Sequence, residues 1–361
     1  MRLLFRAVSM AMLLTLSLLT VGSGQAFAAE KKTYKLGYVV YVGFMPYAWM
    51  NNAGLLKKWG DKYGINIEMI QTNDYVGGIN QFIAGDLDAV GVAGMDALTM
   101  PAAGGVDSSI VLLNDYSNGN DVILSKKAKS IAELKGDTVY LVEYTVSHYM
   151  LQRALTMAGM PGLASVKTVN VSDADIASAY LTTDTIQNVA SWKPMTDDMI
   201  KGVPGTHVLF DSSKIPGEIM DALIMKTDAI KKDPAFAKAL IGAYYEAQAQ
   251  WMKGDDTSKK MVDVMAKAMG GDVPAFESQV KTTHFFHTAQ SAYDFMTSPK
   301  TKSNWDMIRT FSFQQGLFGQ GATSVDAIGI QMPDGSVLGD KGNVKLRLDA
   351  SFTKMAADGK L

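Results

Sequence analysis

Residues 38–50 read YVVYVGFMPYAWM, and their reading decides the fold. A β-branched run reaches Gly43, then comes a loop with Phe44, Met45, Pro46 and Tyr47, then Trp49. This predicts a buried strand that ends at Gly43 and presents aromatic side chains at its mouth. Open α/β folds bind their ligands there, at the carboxyl ends of strands.

Working outward, strand-like and helix-like segments alternate, as a parallel sheet with crossover helices requires. Residues 34–42 read as strand, 49–63 as a helix closed by Gly64, and 65–71 as strand. Asn73 and Asp74 offer a cap for a helix over 76–84, ended by Gly85. A short strand at 89–92 runs into Gly94-Met95-Asp96, which opens another helix, and 109–113 returns to strand. The turn-rich DYSNGN at 115–120 places a chain crossing there, and an extended run at 122–125 follows it. A second α/β unit spans about 130–209. Its strand at 138–142 leads through Glu143, Tyr144, Thr145 and Val146 into a helix over 147–157. Residues 67–95 can be laid on 166–194, with Asp74 over Asp173, which suits two similar lobes but also any two βαβ units. The chain crosses back after Ile215-Pro216-Gly217, with strand at 222–225. Asp233-Pro234 then starts a helix whose Phe236, Leu240, Ile241, Tyr244 and Trp251 form a core stripe. Further helices are expected near 259–269 and 304–314, and a tail strand near 344–348.

The first 28 residues stand apart. Arg2 and Arg6 precede the apolar run 7–19, and Ala26-Phe27-Ala28 fits a small-x-small cleavage site, so a signal peptide over 1–28 is expected. The apolar run is too short and too interrupted for a membrane anchor. The chain has no Cys, which removes disulfides and a lipid attachment point, so a free periplasmic protein with a self-sufficient core is expected. Net charge is −2 and no basic patch appears, which excludes nucleic acid as a partner.

Four stretches, taken in order, carry a resemblance: GYVVYVGFMPYAWMNNAGLLKK at 37–58, FIAGDLDAVGVAGMDAL at 82–98, SIAELKGDTVYLVEYTVSHYMLQRALTMAGM at 130–160 and VASWKP at 189–194. The chain resembles the periplasmic substrate-binding proteins of nitrate/sulfonate/taurine (NitT/TauT) ABC importers, nearest the urea- and guanidine-linked branch associated with urea carboxylase. The resemblance implies an α/β, two-lobed periplasmic-binding-protein fold of type II. Each lobe would be a mostly parallel sheet flanked by helices, with the ligand in the cleft between them. Lobe 1 would take 29–120 and 222–361, and lobe 2 would take 121–221. Hinge bending would close the lobes on a small-molecule solute. The partners implied are an ABC permease and its ATPase, with the binding protein itself a monomer. No cofactor, no metal and no catalytic residue is implied. Carried over by position, the contacts would be Phe44, Met45, Tyr47, Gly94 and Asp96 from the first lobe and Tyr144, Thr145, Ser147 and Trp192 from the second. The pattern departs at Lys193, where an acid is usual, and at Gln187-Asn188, where Asp-Ala is common.

The residues themselves leave two ligand chemistries open. Helix starts near Asp96 and Thr145 would aim free N–H groups at an anion such as nitrate, an alkanesulfonate or taurine. These loops, however, carry no Arg and only Lys193, whereas Asp74, Asp96, Asp115, Asp121 and Glu143 lie at or near strand ends, with Tyr116 and other aromatics beside them. Carboxylates and aromatic faces suit guanidinium or a urea-like solute, through charge-assisted hydrogen bonds and cation–π attraction. Plainer roles compete: Asp74 and Asp96 as helix caps, Glu143 in a salt bridge between lobes, and Tyr41, Trp49 and Trp59 as packing. Enzyme readings, including a pyrimidine-precursor protein on the same scaffold, find little. His284 and His287 lack an accompanying carboxylate, His148 beside Ser147 and Glu143 is a sequence neighbour and no assembled triad, and no nucleophile elbow, phosphate loop or dinucleotide fingerprint is present. The 23 Met residues have no repeated spacing and read as core filler.

Overall fold

The computed structural model describes residues 31–72 and 74–361. The expected leader at 1–28 and Asn73 therefore lie outside the described residues. The strands are β1 (Thr33–Tyr38), β2 (Asn66–Gln71), β3 (Ala89–Ala93), β4 (Ser108–Ser117), β5 (Asp121–Ser125), β6 (Thr138–Leu141) and β7 (Lys167–Asn170). They continue with β8 (Asn188–Trp192), β9 (His207–Asp211), β10 (Met220–Lys226), β11 (Thr283–Phe285), β12 (Gly329–Gln331), β13 (Val337–Leu338) and β14 (Val344–Leu348). The helices are α1 (Met45–Asn52), α2 (Leu55–Tyr63), α3 (Tyr75–Ala84), α4 (Gly94–Ala97), α5 (Val146–Met157), α6 (Asp173–Thr182) and α7 (Met195–Gly202). After them come α8 (Thr227–Lys232), α9 (Ala235–Trp251), α10 (Asp256–Ala268), α11 (Val273–Val280), α12 (Ala289–Met296), α13 (Pro299–Gln314) and α14 (Ser351–Ala357).

Two sheets result. A nine-stranded sheet runs β13-β12-β14-β4-β10-β3-β1-β2 with β11 against β4, and a five-stranded sheet runs β7-β6-β8-β5-β9. Read from β2, the first sheet begins β2, β1, β3, β10, β4, which is the plan of the second repeated strand for strand. The echo between 67–95 and 166–194 is β2-α3-β3 laid on β7-α6-β8.

Both sheets are mixed, which corrects the expectation of mostly parallel ones. β1 is parallel to β2 and β3, and β6 to β7 and β8. β10 is antiparallel to β3 and β4, as β5 is to β8 and β9. The reason is how the chain travels. It leaves the first sheet after Ser117, enters the second at Asp121, leaves at Asp211 and re-enters the first at Met220. Each entering strand starts at the edge where its neighbours end, so it must run against them. Hydrogen bonds hold the two crossings together: Ser117 Oγ lies 2.7 Å from Ser212 Oγ, and the Gly119 N–H donates to Ser212 Oγ at 2.7 Å.

Strands β3 (AVGVA) and β5 (DVILS) are buried along their whole length, as strands covered on both faces must be. Phe236, Leu240, Ile241 and Tyr244 of α9 are buried at helical spacing in the first lobe's core.

The opening stretch differs from its sequence reading. β1 ends at Tyr38, a tight turn covers Val42–Phe44, and the expected loop at 44–47 is helix from Met45. Pro46 stands in the first turn of α1, where its missing N–H costs no helical bond. The single helix expected at 49–63 is two, because Gly54 takes a left-handed conformation (φ 71°) between α1 and α2. β4 continues through Asp115 and Tyr116, so the crossing turn is only 118–120. The helix expected from 304 begins at Pro299.

Candidate functional site

Strand register builds the site. Asp221 near the start of β10 pairs with Ala93 at the end of β3 and with Asp115 near the end of β4. Asp121 at the start of β5 pairs with Trp192 at the end of β8. Each lobe thus contributes an aspartate at the start of its entering strand, beside the point where a neighbouring strand ends.

Between them lies a small pocket lined by Val39, Tyr41, Phe44, Tyr75, Ala93, Asp121, Thr145, Val146, Trp192, Ile219 and Asp221. The space open to the centre of a water-sized sphere is about 30 Å³, above the ~10–15 Å³ that one water needs and suited to a solute of a few heavy atoms. Tyr75 of the first lobe meets Trp192 of the second edge-on, with ring centroids 6.1 Å apart.

Two more carboxyls stand behind the lining, and each holds a tyrosine hydroxyl. Tyr75 OH donates to Asp96 Oδ2 at 2.7 Å and accepts the Ala93 N–H at 2.9 Å. Tyr41 OH donates to Asp115 Oδ1 at 3.3 Å. A side chain at Gly43 would run into the Asp115 carboxyl and the Tyr41 ring, so that glycine lets the backbone close over the pair.

Asp96, Asp115, Asp121 and Asp221 are all buried. Asp96 Oδ1, Asp115 Oδ2 and Asp221 Oδ2 find no hydrogen-bond donor among the described residues. Val146 N–H at the start of α5 faces Asp96 and eases its charge, short of a full bond. Loss of hydration pushes the Asp96 carboxyl up to about 7 and Asp121 up to about 6. Asp115 and Asp221 face one another and are also raised, first by burial, with the surrounding acids opposing their charge. Among the described residues no Lys, Arg or His lines the pocket. The arrangement can accept N–H donors, hold shared protons and stabilise a compact cation against aromatic faces.

The expected site residues separate into three groups. Phe44, Thr145 and Trp192 line the pocket, with Asp96 one bond behind through Tyr75. Asp74, Glu143 and Tyr144 lie instead on an outer groove of about 770 Å³ between the lobes, shared with Thr99, Asn170, Asp173 and Leu317. Asp74 caps α3 there, and Glu143 accepts from Thr168 Oγ1 at 2.5 Å, so its carboxylate bonds within its own lobe. The rest do not line the pocket. Met45 and Tyr47 are core, Tyr47 with its hydroxyl on Asn114, and Gly94 sits against the Trp305 ring. Ser147 is buried inside the first turn of α5, and Tyr116 stacks on His284 at 4.5 Å. Trp49 and Trp59 are tied to Gln250 and Glu246.

Tyr41, Tyr75 and Asp221 were not among the residues expected in the site. Asp221 did leave a signal: Asp-Ala-Leu-Ile at 221–224 repeats Asp-Val-Ile-Leu at 121–124, an acid heading an apolar strand. Lys193, following Trp192, turns away to Thr282 Oγ1 at 3.5 Å and Asp197 at 3.8 Å. His287 bonds Gln248, and among the described residues no group of three or more His, Asp or Glu is placed to hold a metal ion.

Comparison with known proteins agrees with this architecture. A model described as the NMT1-like family matches residues 27–266, and the chain belongs to that family. A protein of Brucella abortus (strain 2308), whose name gives it a binding role and no ligand, is 27% identical over 257 residues, covering 70% of this chain and 76% of the relative. The periplasmic aliphatic sulphonate binding protein SsuA from Escherichia coli superposes with a TM-score of 0.65 at 18% identity, over 80% of this chain and 94% of that one. The desulfurization enzyme DSZB has a similar fold, with a TM-score of 0.56 at 13% identity over 82% and 95% of the two chains. The architecture is the two-lobed α/β fold of periplasmic binding proteins. Among the described residues no helix is long and apolar enough to cross a membrane.

Proposed function

We propose that this protein is the extracytoplasmic solute-binding component of an ABC importer and that it captures a small nitrogen-rich cation, guanidinium first, in the pocket between its lobes. In this reading residues 1–28 direct export to the periplasm and are removed, the first sheet with its helices forms one jaw and the second sheet with its helices the other. The return crossing ends before Met220, two residues earlier than the expected boundary at 222, because Met220 and Asp221 already pair within the first sheet. The closed form is presented to a permease and its ATPase.

One observation carries the ligand reading. Asp121 and Asp221 face each other from the two lobes in an aromatic pocket, backed by Asp96 and Asp115, and among the described residues no Lys, Arg or His lines it. Burying charge without a partner is costly, so an acid-rich cavity of this kind favours a guest that brings the positive charge and several N–H donors. Guanidinium does both, and it is flat enough to lie against Trp192 or Tyr75. Urea has one NH2 group fewer, puts a carbonyl acceptor in its place and brings no charge, so it would need the acids protonated. A nitrate, alkanesulfonate or taurine-type anion would meet carboxylates where it requires donors, and the Val146 amide that could serve it is turned to Asp96.

At ~1.5 kcal/mol per heavy atom, the carbon and three nitrogens of guanidinium allow about 6 kcal/mol, a dissociation constant of tens of micromolar. Thermal shift with guanidine, urea, nitrate, taurine, alkanesulfonates and pyrimidines tests the reading, because a ligand bound only by the folded state raises Tm. The expected order is guanidine above urea, with no shift from the anions. A shift confined to sulfonates or nitrate would overturn it, and chemical turnover of any ligand by the purified protein would replace the transport reading with an enzymatic one.

A further inference from the structure

One buried acid outside the pocket draws its donors from the opposite lobe. Glu218 lies on the segment between β9 and β10 and is buried. That segment is fastened to the first lobe: Asn304 Nδ2 of α13 donates to the Gly217 carbonyl at 2.7 Å, and the Ser117 N–H of β4 donates to the Ile219 carbonyl at 2.9 Å. The Glu218 carboxylate, however, is gripped by α5 of the second lobe. Arg153 Nε donates to Oε2 at 2.7 Å and Nη2 to Oε1 at 2.9 Å, while Tyr149 OH donates to Oε2. Alongside, His148 and Tyr149 set their rings edge-on to Phe311 of α13, at 6.2 and 5.2 Å between centroids.

Both ends of this contact continue into the pocket wall. Thr145 and Val146 at the start of α5 line the pocket, and so do Ile219 and Asp221, which follow Glu218. We infer that Arg153, Tyr149 and Glu218 form the latch of the trap, and that these positioning residues set how long a bound solute stays without choosing which solute enters. The inference rests on the solute-trap reading above.

The physical reason is the difference between the two states. With the lobes apart, the carboxylate and guanidinium are hydrated, and long-range attraction between them is screened. On closure the partly exposed Arg153 fork meets a buried carboxylate in a two-bond geometry that only guanidinium matches, and a pair made only in the closed state governs dissociation more than association. Selection of the solute stays with Asp121, Asp221 and the rings, none of which touches Glu218 through a side-chain bond.

The absence of native Cys permits a direct test. Spin labels at Gln81→Cys on α3 and Thr182→Cys on α6, both exposed, report the separation of the lobes by pulsed dipolar spectroscopy, with and without guanidinium. Glu218→Gln, and separately Arg153→Lys, should lengthen and broaden that distance. In stopped-flow fluorescence Glu218→Gln should release guanidinium about tenfold faster, with association and the preference for guanidinium over methylguanidinium unchanged. An unaltered distance distribution in both variants, or a change in preference with release rate unaffected, would overturn the latch. Failure of the parent protein to bind guanidinium would count against the ligand reading alone, since the distance measurement needs no ligand.

Discussion

Two acidic regions lie between the lobes, and they differ in almost everything except their acids. The outer groove is wide, about 770 Å³ against about 30 Å³ for the inner pocket by the same measure, and its Asp74 and Glu143 already serve local structure. The inner pocket is walled by Trp192, Tyr75, Tyr41 and Phe44, and among the described residues one carboxyl oxygen in its lining, on Asp221, and two just behind it, on Asp96 and Asp115, have no donor. A carboxylate at a helix start with a backbone N–H to hold is satisfied. The same group shut in with other acids is not, and in the reading proposed above that unmet demand becomes the binding energy for a cation.

The sharpest way to break this contrast is to neutralise one acid in each region. Asp221→Asn or Asp121→Asn should weaken guanidinium binding about a hundredfold or more in calorimetry, the scale expected when one half of a buried charge pair is removed. Glu143→Gln should change it by less than about twofold, because the half-buried Glu143 carboxylate is held by the Thr168 hydroxyl within its own lobe. Equal losses in both regions would show that the groove and not the pocket holds the solute. Next in size, Trp192→Ala opens the wall and removes a cation–π face, so affinity should fall about tenfold, with the loss concentrated in the charged ligand and smaller for urea.

Proton uptake sharpens the contrast further. Asp96 and Asp121 have folded values of about 7 and about 6, above the ordinary 3.8, so the empty folded protein holds protons that the unfolded chain has released. Their contribution to stability is therefore greatest below about pH 4 and is lost as pH rises through the range 4–7. A guest cation reverses this by favouring the ionised acids. The guanidinium-induced rise in Tm should grow between pH 5 and 7.5, with proton release visible as a dependence of the calorimetric heat on buffer. Asp121→Asn should flatten both slopes, and a flat profile in the parent protein would contradict the pocket assignment. The smallest effect belongs to Asp74→Ala. Loss of the α3 cap should lower stability by about 1 kcal/mol in urea unfolding while ligand affinity stays within about twofold.

Parts of this arrangement were legible before any coordinates. The βαβ echo, the aromatic mouth after β1, the cap at Asp74 and the acid-rich, arginine-poor loops all follow from local spacing, because caps, turns and apolar periods act within a few residues. Asp96 and Glu143 were marked by their place at strand ends and Thr145 by its place at a helix start, whereas Trp192 came from the family resemblance; of these Glu143 lies on the outer groove. Misplacements arose where a local signal has two outcomes. Phe44 to Tyr47 looked like loop because Pro46 breaks helices, yet proline also starts them. Tyr41 read as packing because an aromatic at strand spacing usually is, and nothing local reveals Asp115 beneath its hydroxyl.

The sequence by itself determined an α/β chain without cysteine whose acids gather near the ends of strands, and it left the repeat of one plan as an echo that any two βαβ units could give. Only the tertiary structure decided which acids share a cavity. The chain enters each sheet on a strand running against its neighbours, and that reversal brings Asp121 beside Trp192 and Asp221 beside Asp115 and Ala93. Local pattern fixes where an element starts, but the direction in which it is inserted among partners distant in sequence comes from the path between lobes. The meeting of these carboxyls is therefore a property of the closed fold and of no single stretch of the chain.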